Sequence, residues 1–125
     1  MAARFDIEMR DDVVVVHEEG TLRFEETQQA LADAIEAALE GGTRKILFDH
    51  RRVDLANYYS HIVRHAELAP GLGLDASFRI ALVGLPEQDD VLSFIVMVGR
   101  NRGWNSQRFF DFDAALLWLQ SAQGG

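Results

Sequence analysis

Two histidines, His61 and His65, stand four residues apart in the stretch SHIVRHAEL. On a helix that spacing puts both imidazoles on one face, where they can hold zinc. A zinc protease places a glutamate between such histidines as its base. Here the intervening residues are Ile62, Val63 and Arg64, and a cation beside the pair opposes a metal ion. The pair therefore reads as a solvated helix face, and no metal site is expected. Asp49, His50 and Ser60 offer the residue types of a hydrolytic triad. Neighbours on a strand point to opposite faces, so Asp49 cannot orient His50. No Gly-x-Ser-x-Gly elbow is present. No catalytic residue is expected, and Asp49 reads as an acceptor for the loop amides after it. GLGLD at 71–75 precedes a strand and lacks the Lys and Ser/Thr of a phosphate loop, so no nucleotide and no other cofactor is expected.

What remains is binding chemistry. Arg51 and Arg52 precede Asn57, Tyr58 and Tyr59. Two adjacent arginines are costly to bury unpaired, and a tyrosine beside them gives a large contact area at little entropic cost. These five residues are expected to form one exposed binding patch, with one tyrosine packed inward and the other as the anchor. A second candidate patch is Arg100, Arg102 and Trp104, set against the commoner role of such arginines in complementing a helix dipole.

The elements that must position these groups follow from periodicity. RFDIEMR at 4–10 alternates apolar and charged residues, the mark of a strand with one buried face. Asp11-Asp12 joins it to VVVVHEEG at 13–20, whose four valines suit a strand covered on both sides. A helix is predicted from about 22 to 40, with Phe24, Leu31, Ile35 and Leu39 on its apolar stripe and Gly41-Gly42 as its stop. KILFDH at 45–50 reads as a buried strand, followed by a helix to about Leu68. FRIALVG at 78–84 is a fourth strand. Pro86 and the acids after it open a third helix, which ends at Gly103. QRFF at 107–110 is a short fifth strand, and AALLWLQSA a last helix with Leu116 and Leu117 facing inward. The order is ββαβαβαβα. It implies an α/β fold, a mixed and mostly parallel five-stranded sheet with about four helices.

The chain is 125 residues long, 48% hydrophobic and 26% charged, which suits a single globular domain over 1–125. The absence of cysteine excludes disulfides, thiolate metal sites and a cysteine nucleophile. A net charge of −8 argues against a nucleic-acid binder. No apolar run approaches the ~20 residues of a membrane span, and the N-terminus has no signal-peptide core. A cytoplasmic protein without membrane insertion is expected.

The element order, the buried strand ILFDHRRVDL, the helix opening ANYYSHIV, the strand FRIALVG and the segment RFFDFDAALLWL together resemble the STAS domain. That family is named for sulfate transporters and anti-sigma factor antagonists, and its fold is also called SpoIIAA-like. The resemblance covers nearly the whole chain and implies a bacterial regulatory or binding module rather than an enzyme. In phosphorylated members a strand-end acid is followed by a loop and Asp-Ser-Ser-Gly at the helix start. Here Asp49 matches the acid and Val53 the loop hydrophobe, and the next positions read Asn57, Tyr58, Tyr59 and Ser60. Tyrosine stands where the family has its phosphorylated serine, so the resemblance implies no phospho-switch at position 58. Ser60 is the one nearby serine. The Arg-Asn-Arg-Gly segment at 100–103 also resembles uncharacterised bacterial STAS-like proteins.

The expected function is therefore a non-enzymatic regulatory module that binds a protein partner; a homodimer is also open. The alternative is a carrier or sensor whose apolar third helix lines a pocket for a small apolar or anionic ligand, and an enzyme comes third.

Overall fold

The computed structural model describes residues 3–55 and 58–121. Its elements are β1 (Arg4–Arg10), β2 (Val13–Thr21), α1 (Phe24–Glu40), β3 (Lys45–Asp54), α2 (Tyr59–Leu68), β4 (Arg79–Val83), α3 (Asp89–Asn101), β5 (Asn105–Phe109) and α4 (Phe112–Ser121), in the expected order. Short 3-10 turns at Ala69–Leu72 and Pro86–Gln88 follow α2 and precede α3. The strands lie side by side in chain order, β1 antiparallel to β2 and the rest parallel. Asp11 makes the tight β1–β2 turn with φ of 55°, a left-handed conformation that aspartate tolerates better than most residues.

This strand order dictates the layers. Each crossover steps one strand in the same direction, and crossovers of one hand then put α1, α2 and α3 on the same side of the sheet. α4 returns to the other side. The four valines of β2 divide accordingly. Val14 and Val16 join Ile46, Ile80 and Leu82 under α1, α2 and α3. Val13 and Val15 join Leu47, Ala81 and Val83 under Ala115 and Leu119 of α4.

Five expectations need correction. β1 has no fully buried face: Phe5 is only partly buried, and Ile7 and Met9 are 37% and 47% exposed, because β1 is an edge strand of the sheet. β3 does not stop at His50; it runs to Asp54, because Arg52, Val53 and Asp54 pair with Glu19, Gly20 and Thr21 of the long strand β2 after a bulge. Arg51 and Arg52 therefore lie on a strand rather than in a loop. In α4 the buried positions are Ala115 and Leu119, with Leu116 packed partly against them as expected; Leu117 is instead 67% exposed, because one helical turn separates the sheet-facing residues. Leu39, placed on the apolar stripe of α1, is exposed, while Ala30, Ala34, Ile35 and Ala38 are buried. β5 begins two residues earlier than QRFF, and Phe110 is exposed beyond its end.

Candidate functional site

The C-terminal ends of the parallel strands gather Glu18 of β2, His50 to Asp54 of β3 and the start of α2. Gln88 ties this end to α3. Its side-chain amide donates to the carbonyl oxygens of His50 and Val53 at 2.9 and 3.0 Å, and its Oε1 accepts from the Leu85 amide at 2.7 Å.

The residues expected to form one patch are split between the two sides of the sheet. Tyr58 is buried. Its hydroxyl donates to His65 Nε2 at 2.7 Å, and His65 Nδ1 in turn donates to Gln28 Oε1 at 2.7 Å. Gln28 Oε1 can only accept, so Nδ1 carries a proton. Burial pushes the Tyr58 phenol up to about 12. Burial, with His61 adding to it, drops His65 to about 4. His65 is thus a core residue stacked on Phe24 at 4.4 Å, and not part of a solvated face; the phase it shares with Ile62 and Ala66 turns it inward. His61 is half-buried against the Phe24 and Tyr58 rings.

Tyr59, by contrast, is 40% exposed, with Ser60 exposed beside it. Arg51 sits on the α4 side. Its guanidinium donates to both carboxylate oxygens of Asp49 at 2.9 and 2.8 Å and lies 5.4 Å over the Phe112 ring. Burial alone raises the Asp49 carboxyl, but the Arg51 hydrogen bonds outweigh it and hold Asp49 below its usual value. Arg52 is exposed and shares a polar surface depression with Arg4, Asp6, His17, Glu19 and Asp49. Asn57 lies outside the described residues. The second candidate patch is also divided. Arg100 is exposed and donates to the Ser106 carbonyl at 3.0 Å, Arg102 is exposed at the end of α3, and Trp104 turns inward.

Asp49 and His50 do face opposite ways. Asp49 pairs with Arg51, while His50 is buried with its Nδ1 3.0 Å from Glu18 Oε2. Burial opposes a charge on His50, yet the Glu18 carboxylate more than offsets it and raises its pKa. His50 and Glu18 border an apolar cavity of about 130 Å³ between the sheet and the three helices. Leu22, Leu55, Ile62, Ile80, Leu82, Ile95, Val98 and Trp104 are among the residues of its apolar wall. Sequence reasoning missed Glu18 as a cavity residue. The available signal was its phase, since it continues the Val14 and Val16 face of β2.

No family model and no curated protein sequence matches this chain. Solved structures do. An anti-sigma factor antagonist from Mycobacterium paratuberculosis superposes with a TM-score of 0.63 at 16% identity, over 95% of each chain. An uncharacterised protein from Shewanella loihica with a SpoIIAA-like fold gives 0.59 at 22% identity, over 94% of this chain and 93% of that one. The anti-sigma factor antagonist SpoIIAA in its unphosphorylated form gives 0.50 at 15% identity, over 96% and 99%. This chain has the SpoIIAA-like fold. Within that fold the start of α2, which carries Tyr58, Tyr59 and Ser60, follows the extended β3. Among the described residues no helix is long and apolar enough to cross a membrane, and no cluster of three or more metal-ligating side chains occurs.

Proposed function

We propose that this chain is a non-enzymatic STAS-like regulatory module that binds a protein partner through the outer surface of α2 and α3. The observation carrying this reading is an exposed apolar strip. Tyr59 and Val63, one turn apart on α2, are each 40% exposed, and Met97 on α3 is 48% exposed. Phe94, one turn before Met97, meets Tyr59 edge-on at 5.1 Å and joins the two helices' contributions. Aromatic residues and methionine are the types enriched in protein interfaces. Two of the similar structures are anti-sigma factor antagonists, which supports a regulatory role. Tyr59 is kept as the anchor. Arg52 lies at the end of β3 and Ser60 beside the anchor. Arg51, already held by Asp49 and Phe112, and the buried Tyr58 contribute by positioning their neighbours.

The test is affinity capture with the tagged protein, identification of what is retained, and reconstitution of the complex from purified components. Tyr59→Ala and Met97→Asp should weaken it by about 1–3 kcal/mol, the range of an interface hot spot, while the exposed apolar control Leu117→Asp on α4 should leave it intact. A reconstituted complex indifferent to both α2–α3 variants refutes the reading.

A second reading, a carrier or sensor for a small ligand, is favoured by the apolar cavity beneath the same helices.

A further inference from the structure

We propose that this cavity binds a neutral, ring-sized molecule bearing one hydroxyl group, which is held at Glu18 and Thr27 while its ring fills the apolar space. The inference rests on the carrier reading and specifies its ligand.

Size sets the first limit. At about 130 Å³ the cavity compares with an engineered apolar cavity of ~150 Å³ that binds benzene. A single ring fits; a long acyl chain does not. The polar groups set the second limit. Glu18 Oε2, His50 Nδ1 and Thr27 Oγ1 are all buried without a hydrogen bond of good geometry, and all three residues border this cavity. The Glu18 side chain is only 2% exposed, and its one charged neighbour there is His50, 3.0 Å away, which leaves the carboxylate room for a second donor. A buried polar atom left unpaired costs free energy that a ligand recovers by pairing it. Tyr58 and His65, near the same end, spend their protons on each other and on Gln28, so neither donates to Glu18.

The chemistry that fits is a hydroxyl. Its O–H donates to Glu18 Oε2, and its oxygen accepts from the Thr27 hydroxyl. Charge argues the same way. Glu18 and His50 offset one another, so an ionic ligand would bring an uncompensated charge into an apolar wall.

Phenol is the direct probe, titrated into the whole chain while amide and indole resonances are followed by NMR. We expect shifts at Glu18, Thr27, His50 and the Trp104 indole, which borders the cavity, and none at the Trp118 indole, which packs on Phe109 on the α4 side. Toluene and benzoate should bind at least ten-fold more weakly than phenol, and decanoate should not enter. Thr27→Val, which removes the hydroxyl at nearly constant shape, should weaken phenol several-fold and leave toluene unchanged. Glu18→Leu should abolish the preference for phenol. If Glu18→Leu does not fold, Thr27→Val decides alone. Toluene binding as tightly as phenol overturns the hydroxyl anchor while leaving an apolar carrier standing. Preferential binding of benzoate overturns the neutral class. Cavity resonances that respond to no probe overturn both this inference and the carrier reading.

Discussion

The two faces of one sheet solve the packing problem differently. Against α4 the sheet presents Val13, Val15, Leu47, Ala81 and Val83, and the helix answers with Ala115 and Leu119, all essentially without solvent contact. This layer is aliphatic at its centre, and its charged pair, Asp49 and Arg51, stays at the rim. Against α1, α2 and α3 the sheet presents Val14, Val16, Ile46, Ile80 and Leu82, but also Glu18 and His50, and the helices add Tyr58 and His65. Three helices roofing one face leave an apolar cavity beneath them. Filled aliphatic layers give stability; an unfilled layer seeded with ionisable groups gives up some of it.

The largest expected effect tests the filled side. Leu119→Ala should cost about 2–5 kcal/mol in urea unfolding, because the site is fully enclosed and cannot collapse. A loss below about 1 kcal/mol would mean that α4 is a loosely held cover, and the contrast between the faces would fail.

The next effect belongs to the cavity side and is read as stability against pH. His65 falls from 6.5 unfolded to about 4 folded, so the unfolded chain binds the extra proton between those values. Stability should therefore drop as pH falls from 6.5 toward 4, by up to about 3 kcal/mol at ~1.36 kcal/mol per unit. His50 has the opposite sign. Its raised pKa gives stability that is fully present below 6.5 and lost as pH rises through the folded value. The profile should thus peak between the two limbs. Glu18→Gln should remove the alkaline limb and keep the acid one. A wild-type profile flat between pH 4 and 6.5 would show that His65 is not held neutral in the core.

This asymmetry also explains what was legible in the sequence. Alternation in RFDIEMR and the four valines fix the first two strands, and glycine and proline fix the ends of α1 and the start of the α3 region, because those signals are local. The extension of β3 through Arg51 and Arg52 was hidden, since it depends on pairing with Glu19 to Thr21 rather than on polarity. Glu18, His50 and His65 occupy inward phases, yet charge and imidazole read as surface. Only the neighbours Val16, Phe48 and Ile62 in the same phase could have argued otherwise. Tyr58 and Tyr59 were correctly divided into one inward and one outward ring, but periodicity alone did not say which. The candidate site was thus half legible: the division of the two tyrosines was read, while the cavity behind them required the tertiary structure.

A smaller effect compares the faces by adding volume. Ala115→Leu forces a larger side chain into the closed layer and should cost about 1–3 kcal/mol. Ala66→Leu, bordering the cavity, should be nearly neutral or slightly stabilising, because space is already there. Equal costs at both positions would mean that the cavity closes in solution.

The smallest effect lies at the rim of the filled face, at Arg51. Its guanidinium meets both oxygens of Asp49 and covers the Phe112 ring, but its side chain is 40% exposed, so water screens the pair. Exposed pairs contribute about 0–1 kcal/mol. Asp49, at 11% exposure, loses its main counter-charge in Arg51→Ala, which places the expected cost near the upper end of that range. The backbone amide of Arg51 still donates to Asp49 Oδ1 at 3.1 Å, which limits the damage. Asp49 titrates below its usual value of 3.8, so its contribution exists above that pH and disappears as pH falls through the folded value. The gap between wild type and Arg51→Ala in urea unfolding should therefore narrow in high salt and close in acid. A gap that survives both conditions would assign the role of Arg51 to packing of its alkyl stem and guanidinium on Phe112, and the rim of the filled face would then be an extension of its aliphatic layer rather than an electrostatic border.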